Sequence, residues 1–174
     1  GTLTNDGALI NNGSGTLTND GTLSSTGTLT NDGTLSSTGT LTNDGTLTNT
    51  GVLDNQGTLV FAAGSTLDNT GGTLNNNAGG VIESYIDDLY FSIAGSGNLD
   101  ADSLFINRAV MTNAGDLVNA AQLSNEFVLN NDGALSNTGG LNNYGALTNT
   151  DRLTNDGGLV NSNGTLTNDG TLTN

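Results

Sequence analysis

A large aliphatic residue recurs every six positions with the same companions, and no other feature of the chain narrows its possible folds so far. From Leu17 the beat falls on Leu23, Leu29, Leu35, Leu41, Leu47, Leu53 and Leu59. It reads as resuming at Ile93 and running through Leu99, Phe105, Met111, Leu117, Leu123, Leu129, Leu135, Leu141, Leu147 and Leu153 to Leu159. Asn stands two positions after most beats and Gly four after, so the consensus unit is Gly-Thr-Leu-Thr-Asn-Asp. On a helix, at about 100° per residue, a spacing of six scatters the leucines and leaves no apolar stripe. On extended chain six is a multiple of the two-residue pleat, so every Leu falls on one side. Gly in most units, with Thr and Asn between, also disfavours helix.

One Leu in six residues cannot make a self-sufficient sheet face. Units that cannot bury their own apolar residue must stack on copies of themselves, which is the logic of a solenoid. The sequence therefore predicts an all-β fold: a parallel β-helix of hexapeptide strand-corner units, with Thr-Leu-Thr as a short strand, Leu inward, both Thr outward and Asn-Asp-Gly as the corner. Gly supplies the positive φ or the tight geometry that a corner demands. Stacked Asn side chains can form a hydrogen-bonded ladder.

The aspartates set the number of hexads per coil. Asp20, Asp32 and Asp44 are twelve residues apart, with Thr26, Thr38 and Thr50 between them. A twelve-residue coil stacks the three carboxylates about 4.8 Å apart, where like charges repel unless a cation sits among them. An eighteen-residue coil sets Asp20 against Thr38, Asp32 against Thr50 and Asp44 against Thr26. The expected form is a three-sided prism of about ten coils, roughly 46 Å long at 4.8 Å per coil, its handedness leaning to the right. Residues 1–174 read as one elongated domain, with a regular array over 1–63, irregular coils over 64–94 and a second regular array over 95–174.

Composition agrees with a packed fold. Leu, Ile, Val and Phe total 41 of 174 residues, above the level at which disorder is the default despite a net charge of −15. There is no Cys, His, Lys, Trp or Pro. The chain holds no twenty-residue apolar run, so no segment is expected to insert in a membrane. It opens on a repeat without a charged-then-apolar leader, so a signal peptide is expected to lie outside it or to have been removed. Both termini fall in repeat units, and further coils, or copies stacked end to end, are expected beyond Gly1 and Asn174.

The units Leu53-Asp-Asn-Gln-Gly57, Leu67-Asp-Asn-Thr-Gly-Gly72 and Ala78-Gly-Gly-Val-Ile82 resemble the repeats of filamentous-haemagglutinin-like exoproteins and other large bacterial adhesins. That resemblance implies a right-handed parallel β-helix in a secreted or surface-anchored stalk. That family's coils are usually longer and less uniform than a strict hexad. The hexad is also similar to that of the left-handed hexapeptide acyltransferases, whose catalytic histidine has no counterpart here.

Without His or Cys there is no imidazole base, no thiolate and no common zinc site. Two arginines, Arg108 and Arg152, cannot line a phosphate-binding groove, so nucleic acid is not an expected partner. What remains is carboxylate chemistry. Glu83, Asp87, Asp88, Asp100 and Asp102 are the candidates for holding calcium or for flanking a sugar as acid and base, with a solvated surface as the plainer reading. Tyr85, Tyr90 and Phe91 are candidates for stacking on a sugar or a partner. The pairs Thr16/Thr18, Thr28/Thr30, Thr40/Thr42 and Thr46/Thr48 resemble the threonine arrays of ice-binding solenoids, although Thr is also simply a good outward strand residue.

The expected function is thus a structural and adhesive segment of an extracellular bacterial stalk or fibre, without enzymatic activity or an obligatory cofactor. Its expected partners are neighbouring coils or copies and host or matrix glycans. The alternatives are a sugar-binding or sugar-degrading β-helix using the irregular middle, and an ice-binding solenoid.

Overall fold

The computed structural model describes residues 1–84, 90–93 and 95–174, and for 90–93 the backbone alone. Its regular structure consists of short strands gathered into three parallel sheets of nine strands each. Sheet I holds β1 (Thr2–Asn5), β4 (Thr22–Ser25), β7 (Thr40–Asn43), β10 (Thr58–Phe61), β13 (Val81–Ser84), β16 (Leu104–Asn107), β19 (Gln122–Asn125), β22 (Gly140–Asn143) and β25 (Gly158–Asn161). Sheet II holds β2 (Ala8–Asn11), β5 (Thr28–Asn31), β8 (Thr46–Asn49), β11 (Thr66–Asp68), β14 (Tyr90–Ile93), β17 (Val110–Asn113), β20 (Val128–Asn131), β23 (Ala146–Asn149) and β26 (Thr165–Asn168). Sheet III holds β3 (Thr16–Asn19), β6 (Thr34–Ser37), β9 (Val52–Asn55), β12 (Thr73–Asn76), β15 (Ser96–Leu99), β18 (Asp116–Asn119), β21 (Ala134–Asn137), β24 (Arg152–Asn155) and β27 (Thr171–Thr173). The chain visits the three sheets in turn and rises one strand per circuit, so the fold is a three-sided parallel β-solenoid of nine coils.

Register follows the hexad. In sheet I Leu23 pairs with Leu41 and Leu41 with Leu59, and in sheet III Leu117 pairs with Leu135 and Leu135 with Leu153. Leu23, Leu29, Leu35, Leu41, Leu47, Leu53, Leu59, Leu117, Leu123, Leu129, Leu135, Leu141, Leu147 and Leu153 are buried, and Leu17 and Leu159 are partly buried against them. Each face thus contributes one apolar column to the axis.

The strand is one residue longer than Thr-Leu-Thr. Asn closes it, and because Leu and Asn are two apart the pleat turns both inward. The interior therefore carries three polar columns beside the three apolar ones. Asn31 Nδ2 donates to Asn49 Oδ1 at 2.6 Å and to the Val52 carbonyl at 2.8 Å, and Asn131 repeats this with Asn149 Oδ1 and the Arg152 carbonyl. Every ladder step runs the same way, with the amide nitrogen reaching toward the coil nearer the C-terminus. The burial of an uncharged amide is tolerable where both its atoms find partners, as they do in most of the described steps; Asn43, Asn55 and Asn113 leave Oδ1 unpaired.

The corner glycine serves close approach rather than positive φ. A Cβ at Gly21 or Gly39 would fall on the backbone of the Gly one coil below, on Gly1 and Gly21 respectively. Contact at that point lets the next amide reach down: Thr40 N bonds the Gly21 carbonyl at 2.8 Å. Where a side chain occupies the place in a two-residue corner, the bond stretches. Ahead of Gln122, Val128 and Arg152 the corner residue is Ala121, Phe127 or Asp151, and all three bonds measure 3.3 Å. Among the described residues positive φ is confined to Gly64, Gly71, Gly79, Asp102 and Asn163, each in a corner lengthened beyond two residues. Such corners close as turns, as in Asn77–Gly80 and Asp100–Ser103, where a left-handed residue stands third.

These lengthened corners explain two departures from the sequence reading. Coils spanning Leu59 to Phe105 take more than eighteen residues, so the chain forms nine coils rather than ten. They also shift the beat. Gly97, not Leu99, pairs with Leu74 and Leu117, while Leu99 pairs with Asn76 and Asn119 in the amide column. Ile93 likewise pairs with Asn113 and Phe91 with Met111. Counting back by sixes from Phe105 crosses the inserted Ala101-Asp102 and lands two residues off. Around that point Phe61 and Leu99 fill buried amide-column places with apolar bulk.

Candidate functional site

The outer surface is built from two residues per strand and two per corner, and the coil decides which of them meet. Thr38 Oγ1 donates to Asp20 at 3.0 Å and Thr50 Oγ1 to Asp32 at 2.8 Å, the contacts expected of an eighteen-residue coil. Thr26 bonds Asp6 and Thr150 bonds Asp132 in the same way. Asp44 stands one coil above Thr26, its backbone amide donating to the Ser25 carbonyl. Along each corner column of described residues, no carboxylate lies directly over another. Above Asp6, Asp20, Asp32 and Asp132 stands a threonine that donates to the carboxylate below.

The candidate carboxylates do not gather into a described cluster. Glu83 is an outward residue of β13, paired between Val60 and Ile106. Asp100 and Asp102 belong to the turn from β15 to β16, both exposed, with the Asp100 carbonyl accepting from Ser103 Oγ at 2.7 Å. Asp87, Asp88 and Tyr85 lie outside the described residues, as do the side chains of Tyr90 and Phe91. Among the described residues no group of three or more carboxylates could hold a metal ion. Arg108 lies one prism edge away from Asp100 and pairs with Glu126, Nε to Oε2 at 2.8 Å.

The threonine pairs divide among the faces. Thr16/Thr18 lie on sheet III, Thr40/Thr42 on sheet I, and Thr28/Thr30 under Thr46/Thr48 on sheet II. The two stacked pairs are bounded by Ala8 and Ile10 below and by Thr66 and Asp68 above. No face among the described residues carries more than two successive coils of the Thr-x-Thr pattern.

Two surface features escape the list of candidates. A shallow groove of about 650 Å³ follows the edge between sheets II and III, floored by Gly95, Gly115 and Gly133 and bordered by Asp116, Asp151 and Arg152. It is open to solvent and too poor in side chains to converge on a reacting atom. On the edge between sheets I and II stand Phe127 and Tyr144, 44% and 50% exposed. Both occupy corner places that the hexad gives to Gly, Asp or Thr, and that break in the consensus was the signal available in the sequence.

The fold defines a class, the three-sided parallel β-solenoid, with no converging catalytic groups among its described residues. Within that class, the family model described as haemagglutinin repeat matches residues 92–174, and with the stacked parallel coils it fits a filamentous-haemagglutinin-like repeat. No curated protein and no solved structure matches the chain. No helix among the described residues is long and apolar enough to cross a membrane.

Proposed function

We propose that the chain is a stalk or fibre segment of an extracellular bacterial adhesin, holding adhesive surfaces away from the cell and contributing contacts with host or matrix glycans itself. The observation that carries this reading is the continuity of the interior: three nine-stranded parallel sheets close around unbroken backbone ladders, so bending the rod would break many hydrogen bonds together. Its acidic, hydroxyl-rich exterior supports the same role, because like-charged rods stay hydrated and separate. The match to haemagglutinin repeats supports a surface location, since such repeats are typical of secreted and cell-surface adhesins. The role is mechanical and requires neither a catalytic group nor a cofactor.

The test is to label intact producing cells with antibodies raised against this chain, and to measure retention of beads coated with the chain on extracellular matrix. Labelling without permeabilisation together with retained beads is the expected result. Labelling only after permeabilisation would overturn the location, and beads that wash off like bare ones would overturn the adhesive role.

A further inference from the structure

The sheet I–II edge combines features that interior packing does not explain. Four aromatic side chains are described, and two of them, Phe61 and Phe105, are buried. The other two, Phe127 and Tyr144, lie on this one edge in successive coils. Tyr144 sits above Glu126, its amide donating to the Asn125 carbonyl at 2.8 Å, and the bare Gly145 lies over Phe127. Phe127 brings the ladder no benefit. It takes a glycine place, and the bond from Val128 N to the Ala109 carbonyl is 3.3 Å, against 2.8 Å from Thr28 N to the Gly7 carbonyl on the same edge. A large exposed ring that the ladder does not require points to a use outside the fold.

The groups around the rings indicate what that use is. Asn142, two residues before Tyr144 on β22, and Asn130, three after Phe127 on β20, turn outward on the two faces that meet at the edge, and neither amide is engaged in a hydrogen bond. Glu126 keeps one carboxylate oxygen beyond its bond to Arg108. Ring faces suit the C–H face of a pyranose, and flanking amides and a carboxylate suit its hydroxyls. An acidic polymer is disfavoured, since the chain carries −15 and Arg108 is already paired. Two rings separated by one rung, with Gly and Ala beside them, are too narrow to seat an apolar peptide or a lipid surface.

We propose that Phe127 and Tyr144, flanked by Asn130, Asn142 and Glu126, form a binding edge for a neutral oligosaccharide whose successive pyranose rings lie along the solenoid axis. This rests on the adhesive reading above and supplies the chemistry of its contact. The probes are chitotetraose, cellotetraose and mannotetraose, with a heparin tetrasaccharide as the acidic comparison, observed by saturation-transfer NMR on the whole chain. At least one neutral sugar is expected to receive saturation from the aromatic protons. Phe127→Gly and Tyr144→Thr should each weaken it by about tenfold, the scale of 1.4 kcal/mol. The first variant restores the hexad glycine and the second introduces the residue found at Thr26 and Thr150, so circular dichroism and melting should be retained. Binding by heparin alone, by none of the sugars, or equally by parent and variants would overturn the proposal. A failure there leaves the surface-labelling result standing, so the two readings can fail separately.

Discussion

At the scale of single residues, the interior amides set the stability of the coil stack as much as the leucines do. Asn131 accepts from Asn113 and donates to Asn149 and to the Arg152 carbonyl, so Asn131→Ala removes three hydrogen bonds at once and leaves the buried Asn149 Oδ1 without its donor. We expect a loss of about 2–4 kcal/mol, read from urea unfolding. A loss below about 0.5 kcal/mol would mean that the ladder is ornamental. The reverse experiment exploits a gap. Ser25 accepts from Asn5 but makes no bond to Asn43, whose Oδ1 is buried without a partner; Asn55 stands the same way over Ser37. Ser25→Asn should complete the step and raise stability by about 1 kcal/mol, a gain of about 2–4 °C in melting temperature. The ladder was legible as a possibility in the recurring Asn. Its inward direction follows from the two-residue pleat, but its polarity and its dependence on next-strand carbonyls needed the third dimension.

At the scale of the strand and corner, the hexad announces its geometry and conceals its reason. Leu at every sixth place is enough to read strand, pleat side and solenoid. The glycine reads equally well as a residue of unusual φ or as one that must have no side chain, and only stacking the coils decides for the second. The difference is measurable. Gly139→Ala would drive a methyl group into the Ala120 and Ala121 backbone, costing about 1–3 kcal/mol, whereas at Gly13 the nearest atom to an added Cβ is the Asp32 carbonyl oxygen at 3.6 Å. Gly13→Ala should therefore be near neutral, and equal melting losses for the two would refute close approach as the cause. Insertions are what the beat cannot see. Leu99 looked like a beat residue because Ala101-Asp102 restores a six-residue count to Phe105 by accident, and Gly97 gives no apolar signal at the place it occupies. The same blindness applies to the surface: Phe127 and Tyr144 stand in plain view in the sequence, yet their meeting on one edge depends on the coil length.

At the scale of the whole molecule, seventeen acidic residues and two basic ones share a narrow rod without carboxylates stacking along the described corner columns. We infer that such a surface needs no counter-ions bound at fixed places. We expect that EDTA leaves the melting temperature unchanged; a drop of more than about 4 °C, on the order of 1 kcal/mol at this length, would reveal a structural cation. The interleaving has an arithmetic origin. Asp and Thr alternate from one hexad to the next, and a coil holds three hexads, an odd number, so each corner of the regular array meets the opposite kind one coil away. Seen as inheritance, gain or loss of a two-hexad block by unequal recombination keeps that alternation intact, since the rhythm of the chain is unchanged. It does, however, advance everything downstream by two of the three faces. Length variation in such an array would then act as an indexing mechanism, turning the Phe127 and Tyr144 edge to a new bearing about the axis while the rod beneath it folds as before.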